Sequence, residues 1–239
     1  MMGTAMPDLG RVLGRLLAIL CCLGAMPAAA QPLDEGLIVV YGAQAPTREG
    51  DVDRHEQIFF SIPADTPGRV FVRLFDPEIF GQDDFTYGGP ADSVTTFRVY
   101  GSEGAFTAAE RPVMVEDRAR ANPARPEFPA MGPGRGILER AYDNDRSSNG
   151  RWVTLGAVRA RQGEVIGDRA YFRLDVEGTR GNDGNGFSVN ISRARDRDRA
   201  PEGLEMFAYQ PTIRWTASGT ATRVGFQGTQ GPYTVQSFD

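Results

Sequence analysis

The chain has 239 residues and a formal net charge of −5 at pH 7, and 41% of its residues are hydrophobic. This composition is sufficient for a globular core, and the mild negative charge argues against a nucleic-acid-binding protein. No stretch approaches the roughly 20 apolar residues that span a bilayer, so we expect no transmembrane segment.

Residues 1–30 have the pattern of a secretory signal peptide. Arg11 and Arg15 precede a short apolar run at 16–25, and Ala28 and Ala30 fit the small-residue cleavage rule. We therefore predict cleavage after Ala30 and a mature protein that is secreted or periplasmic.

Both cysteines of the chain lie inside this segment, at Cys21 and Cys22. The mature protein would contain no disulfide, although it would enter an oxidising compartment. Its stability would then depend on core burial or on a bound metal ion. Lipid attachment at Cys21 or Cys22 is a competing interpretation, but a lipobox requires a small residue before the cysteine, and Leu20 and Cys21 occupy those positions.

After residue 30, short runs of β-branched and aromatic residues alternate with Gly, Pro, Asn and Asp, and no long window has a helical period. This pattern predicts an all-β fold, which we interpret as a jelly-roll-like antiparallel β-sandwich. The turn residues at 63–68 predict a hairpin between the second and third strands. The predicted strands are 37–41, 57–62, 69–75, 94–100, 112–115, 137–142, 152–158, 170–176, 187–192, 206–209, 212–216, 222–226 and 233–238.

Residues 117–135 interrupt this rhythm because they are rich in proline and arginine. We interpret them as a linker or long surface loop between two sandwich units, 31–116 and 136–239. The sequence RVFVRL at 69–74 is similar to RAYFRL at 169–174. This similarity leads to the hypothesis of an internal duplication and supports the division.

Acidic, glycine-rich loops are the best candidates for a functional site. Calcium takes six to eight oxygen ligands, which Asp, Asn and backbone carbonyls in tight turns can supply. We therefore predict calcium as the ligand. The candidate metal ligands are Asp76, Glu78, Asp83, Asp84, Asp143, Asp145, Asn182, Asp183 and Asn185.

A purely structural interpretation of these loops stays open, because Asp and Asn also occupy turns through bonds to their own backbone. The segment 143–150 does not match an EF-hand loop, which has Gly at its sixth position and Glu at its twelfth.

Part of the second half resembles bacterial pre-peptidase C-terminal domains and related extracellular β-sandwich modules. The resemblance rests on an amphipathic strand at 170–176, a polar Gly/Asn/Asp loop, and a closing strand at 187–191. It implies an accessory binding or stabilising module at the cell surface or on a secreted enzyme. The closing acidic motif usual in that family is absent.

The sequence contains little that indicates catalysis. His55 is the only histidine, and its position beside Glu56 at a strand start predicts an exposed side chain. A single histidine, and no cysteine in the mature chain, exclude most zinc sites and any Cys/His dyad. A secreted polysaccharide-active enzyme that uses paired carboxylates is the alternative function, because spacing between carboxylates is not visible in a sequence.

Two further groups could bind carbohydrate. Four arginines at 193–199 are separated by one alanine and two acids, and they predict either an anion or polysaccharide site or a solvated, self-neutralising loop. Large aromatic side chains could form a sugar-stacking platform, although such residues more often lie in the core. These residues are Tyr87, Tyr142, Trp152, Tyr209 and Trp215.

Together these features predict a secreted or cell-envelope β-sandwich protein that is more a binding or structural module than an enzyme. Calcium is its expected ligand, and carbohydrate or another envelope or surface protein is its expected partner. A purely structural module of a larger surface assembly is a further alternative.

Overall fold

A computed structural model describes residues 37–45, 54–81, 84–86, 91–108, 134–143, 146–208 and 213–214. These ranges contain eleven β-strands and a 3₁₀ turn, Ala160–Gln162. The strands are β1 (Leu37–Tyr41), β2 (His55–Pro63), β3 (Val70–Phe75), β4 (Val94–Gly101), β5 (Arg135–Tyr142), β6 (Trp152–Val158), β7 (Glu164–Ile166), β8 (Arg169–Arg180), β9 (Gly184–Ser192), β10 (Glu205–Ala208) and β11 (Ile213–Arg214).

The strands form two antiparallel sheets. Sheet I has the order β11-β1-β9-β3-β6, and sheet II has the order β10-β2-β8-β4-β5, with β7 paired to β8. Strands from before and after residues 117–134 alternate in both sheets. Among the described strands, therefore, neither 31–116 nor 136–239 has a sheet of its own.

The inner faces of the two sheets pack against each other through one hydrophobic core. Sheet I contributes side chains such as Val72 and Phe187, and sheet II contributes Phe60, Phe97 and Phe172. The rings of Phe97 and Phe187 meet edge to face across the interface, with centroids 5.1 Å apart. The alternation of apolar residues along β8 explains this placement, because Ala170, Phe172 and their alternate neighbours share one face.

The prediction of an all-β, antiparallel fold is confirmed. Nine predicted strands coincide with β1 to β6 and β8 to β10 within a few residues, and the predicted strand at 212–216 overlaps the two-residue β11. The three-residue strand β7 was not predicted. The predicted strands at 112–115, 222–226 and 233–238, residues 117–133 of the predicted linker and the predicted signal peptide lie outside the described residues. The last linker residue, Arg135, is the first residue of β5.

The predicted hairpin between the second and third strands is wrong. β2 lies in sheet II and β3 lies in sheet I, so the two strands do not pair. The residues between them do form a tight turn, in which Thr66 N–H donates to the carbonyl of Pro63 and Gly68 has a positive φ of 74°. The turn, however, carries the chain from one sheet to the other.

In the described part of the chain, no helix is long and apolar enough to cross a bilayer.

Candidate functional site

The predicted acidic loops meet at one end of the two sheets. Phe75 at the end of β3 lies opposite Trp152 at the start of β6, and Phe85 pairs with Gly184 at the start of β9. The connections that follow β3, β5 and β8 therefore lie side by side. We call this region the acidic end, and its buried residues among the predicted ligands are Asp76, Glu78, Asp84, Asp183 and Asn185.

Asp84 organises the connection that follows β3. Its Oδ2 accepts hydrogen bonds from the backbone N–H groups of Phe80 at 2.7 Å and Gly81 at 2.6 Å. Its Oδ1 accepts a hydrogen bond from the backbone N–H of Gly186 at 2.9 Å. One carboxylate thus satisfies three N–H groups and attaches the connection to β9.

Asp76 and Glu78 link the same connection to the residues before β6. Asp76 Oδ1 accepts a hydrogen bond from Gly150 N–H at 2.8 Å, and Glu78 Oε1 accepts one from Ser148 N–H at 2.6 Å. Both acids are almost completely buried. Each carboxylate therefore acts as an acceptor for the irregular backbone of a segment distant in sequence, and not for its own turn.

Asp183 and Asn185 attach the start of β9 to the residues around β4. Ser93 Oγ donates to Asp183 Oδ2 at 3.2 Å and accepts a hydrogen bond from Asp183 N–H at 2.8 Å. Asn185 Nδ2 donates to the carbonyl oxygen of Pro77 at 2.7 Å and to Thr95 Oγ1 at 2.9 Å. Asn185 Oδ1 is buried, and none of the residues that the structure describes donates a hydrogen bond to it.

Gly81 marks a place where oxygen atoms from two connections converge. A Cβ added to Gly81 would lie 2.5 Å from Asp76 Oδ2 and 2.9 Å from Asn149 Oδ1. The two oxygens therefore border the same small space beside the glycine. Carboxylate and amide oxygens are the ligand types that calcium takes.

The structure places the remaining predicted ligands differently. Asp143 is exposed directly after β5, and Asn182 is half-buried between β8 and β9. Asp83 and Asp145 lie outside the described residues. Within the described ranges, no group of three His, Cys, Asp or Glu side chains could hold a metal ion.

A second group of charged side chains, which the sequence analysis did not single out, lies on the outer face of sheet II. Alternate residues of a strand share a face, so Arg173 and Asp175 of β8 both point away from the core. Neither is more than 1% exposed. Residues 102–108 pack on this face: Ala105 contacts Arg173, and Phe106 packs edge to face on Phe59 of β2 with ring centroids 5.6 Å apart.

The guanidinium group of Arg173 makes two hydrogen bonds and one cation–π contact. Its Nε donates to Asp175 Oδ1 at 2.8 Å, and its Nη1 donates to the carbonyl oxygen of Ala105 at 3.3 Å. Its guanidinium carbon lies 4.6 Å from the centroid of the Tyr100 ring. Hydrogen bonds and a cation–π contact thus offset part of the cost of burying this ion pair.

His55 belongs to the same group, and the prediction that it is exposed is wrong. Its side chain is only 14% exposed, and its Nε2 lies 4.0 Å from Asp175 Oδ2. Burial lowers the pKa of His55 below 6.5, against the opposing effects of Asp175 and Glu177. Burial raises the pKa of Asp175 above 3.8, against the effects of Arg173 and His55. Shifted pKa values that cluster in this way occur at functional sites and in structural ion-pair networks.

Glu164 of β7 fixes the segment that covers this group. Its Oε2 accepts hydrogen bonds from the backbone N–H groups of Phe106 at 2.6 Å and Thr107 at 3.0 Å, and the Thr107 hydroxyl donates to Oε1. Burial alone would raise the pKa of Glu164, but these hydrogen bonds outweigh it and lower the pKa below 4.5.

The candidate carbohydrate-binding residues do not form a platform among the described residues. Tyr142 is buried in the core, edge to face with Phe97. Trp152 packs against Phe75 with ring centroids 5.5 Å apart. Tyr87, Tyr209 and Trp215 lie outside the described residues.

No family model, no curated protein and no solved structure matches this chain.

We expect Asp84→Ala to lower the free energy of unfolding by about 3 kcal/mol or more, because three backbone N–H groups lose their acceptor. Asp143→Ala is the matched control, since Asp143 is exposed, and we expect a change within about 0.5 kcal/mol. Urea unfolding of both variants measures the difference. Equal stability of the two variants would contradict the structural role of Asp84.

Glu164 should contribute to the pH dependence of stability. Because its pKa is lower in the folded state, its contribution is present above about pH 4.5 and is lost as pH falls through the folded-state value. We expect Glu164→Gln to be less stable at pH 7 and to lose less stability on acidification. Thermal melts from pH 7 to pH 3 test this, with the exposed Glu202→Gln as control. Parallel pH profiles for wild type and Glu164→Gln would exclude the effect.

Proposed function

We propose that this chain is a non-catalytic binding or structural β-sandwich protein of the bacterial envelope or exterior, and that calcium stabilises its acidic end. The observation that supports the calcium part most directly is the convergence of Asp76 Oδ2 and Asn149 Oδ1 beside Gly81. The wider proposal includes a jelly-roll-like strand arrangement and the accessory role that the pre-peptidase C-terminal resemblance implies.

The charge at the acidic end gives calcium a physical role. Asp76, Glu78, Asp84 and Asp183 are all buried there, and their carboxylates repel one another more strongly in a low-dielectric surrounding than in water. A divalent cation would offset this repulsion. Calcium suits the site better than magnesium, because it accepts irregular oxygen ligands and gives up its water more readily.

A binding role agrees with the hydrogen bonds of the buried charged side chains. The carboxylates of Asp84 and Glu164 accept backbone N–H groups, and Arg173 is enclosed by Asp175, Ala105 and Tyr100. These groups hold loops in place. Carbohydrate or another envelope protein would be the partner of the surface that these loops form.

One observation favours the alternative function, a polysaccharide-active enzyme. Asp175 and Glu177 share a face of β8, and burial raises the pKa of Asp175, as a general acid requires. Glu177 stays paired with Arg98 at 2.7 Å. Hydrolysis of a polysaccharide by the wild-type protein and its loss in Asp175→Asn would replace the binding proposal by this one.

The proposed location predicts that exported protein begins at Gln31 and contains no thiol. Intact-mass measurement of the protein recovered from a bacterial periplasm or culture medium tests this prediction. A mature start at Cys21 or Cys22 with added acyl mass would show a lipoprotein instead. Retention of residues 1–30 would overturn the secretory assignment.

Calcium should raise the melting temperature. At a calcium concentration 100 times the dissociation constant, a ligand that binds only the folded state stabilises it by about 2.7 kcal/mol. For a chain of this size, that energy corresponds to a shift of about 5–10 °C. We expect a smaller shift with magnesium and none with a chelator.

Two substitutions connect this shift to the acidic end. Asp76→Asn removes one charge at the convergence point and should reduce the calcium-induced shift, as should Asp183→Ala. Asp65→Asn removes a charge from an exposed turn at the other end of the sheets and should leave the shift unchanged. If the melting temperature is the same in calcium, magnesium and chelator, the calcium proposal is wrong and these carboxylates have a purely structural role.

A further inference from the structure

A pocket of about 540 Å³ lies at the end of sheet I opposite to the acidic end. We call it the arginine pocket, and its lining residues are Arg69, Ala157, Arg159, Arg161 and Gln162. It shares no residue with the acidic end, and the chemistry proposed above does not use it.

The strand register explains why arginines meet in this pocket. Val70 of β3 lies opposite Val158 of β6, and both side chains are buried in the core. Arg69 and Arg159 are the next residues beyond this pair, so the alternation of faces sends them to the opposite, outer side. The 3₁₀ turn Ala160–Gln162 then brings Arg161 to the same place.

The charges of the pocket are not compensated by the part of the chain that the structure describes. No carboxylate lines it, and the guanidinium groups of Arg69, Arg159 and Arg161 make no hydrogen bond or ion pair with the described residues. By contrast, Arg73 and Arg98 are ion-paired with Asp198 and Glu177. Three uncompensated cations around one pocket repel each other, and a bound anion would remove this cost.

Gln162 adds a donor of fixed orientation. Its Oε1 accepts a hydrogen bond from the backbone N–H of Arg159 at 2.8 Å. The oxygen of the amide is therefore engaged, and the side chain contributes its Nε2 group as a donor. The polar side chains of the pocket thus combine positive charge with hydrogen-bond donors.

We propose that the arginine pocket binds a ligand that carries oxyanion groups. Arginine recognises carboxylate and phosphate with two parallel hydrogen bonds, which a rigid, planar guanidinium is shaped to make. Three guanidinium groups around one pocket fit a ligand with at least two such groups, for example a diphosphate or a short chain of uronic acids. Anion binding in the arginine pocket would require neither calcium at the acidic end nor export of the protein.

Isothermal titration calorimetry of the full chain at low and physiological salt tests the proposal. The probes are inorganic pyrophosphate, trigalacturonate and the neutral maltotriose. We expect an anionic probe to bind, with an affinity that falls as salt rises, and maltotriose not to bind. Binding of pyrophosphate alone would identify a phosphate ligand, and binding of trigalacturonate alone would identify a uronate ligand. Absence of binding by both anionic probes would overturn the proposal.

Variants connect the binding to the pocket. We expect Arg159→Gln and Arg69→Gln each to weaken the affinity about tenfold, because each removes a charge-assisted hydrogen bond from an exposed position. Arg159→Lys, which keeps the charge but loses the planar fork, should weaken it less than Arg159→Gln. Arg151→Gln makes the same charge change on an exposed residue at the acidic end and should bind like wild type. An equal loss in Arg151→Gln, or no loss in the pocket variants, would show that the anion does not bind in this pocket.

Discussion

Irregular backbone that packs against a sheet must find hydrogen-bond acceptors away from the β-ladders, and this protein uses buried carboxylates for that purpose. Asp84 accepts three backbone N–H groups, and Glu164 accepts two together with a hydroxyl. Asp76 and Glu78 each accept one more. An N–H buried without an acceptor costs about 1–3 kcal/mol, so these side chains determine where the loops can lie. The positions of both the acidic end and the cover on sheet II follow from them.

The outer faces of both sheets contain a buried arginine, which is unusual for positions that would ordinarily meet water. Arg73 of β3 pairs with Asp198, and its guanidinium carbon lies 5.1 Å from the centroid of the Trp152 ring. Arg173 of β8 has the equivalent pair of partners, Asp175 and Tyr100. In each case a loop covers the strand, and the arginine exchanges water for a carboxylate and an aromatic face. These two arginines occupy matching positions in the similar segments 69–74 and 169–174, so the sequence similarity coincides with a similar local environment.

The alternation of apolar and polar residues was sufficient to predict most strands and the all-β class, because a strand that buries one face has a period of two. The alternation did not predict which strands pair with each other. The turn after β2 has the residues of a tight turn, yet it joins two sheets, and no local signal distinguishes these outcomes.

The residues of the acidic end were predicted from their types and their place in glycine-rich loops. Five of the nine predicted metal ligands are buried together there. The burial of His55 had no local signal, because its neighbour Asp175 lies on β8, far along the chain. The same limit applies to the loop at 193–199, where Asp198 pairs with Arg73 rather than with a neighbouring arginine.

The separation of charge along β3 determines how the two proposed sites relate. Arg69 precedes this strand and Asp76 follows it, so the arginine pocket and the acidic end lie roughly 23 Å apart along an extended chain. At physiological ionic strength the Debye length is about 8 Å, and solvent therefore screens most of the interaction between the two sites. The carboxylates of the acidic end and the guanidinium groups of the arginine pocket therefore do not neutralise each other. A chain of modest net charge can for this reason contain one strongly negative region and one strongly positive region. A cation at one end would change the other only through the rigid strand between them, so binding at either site is expected to be nearly independent of the other.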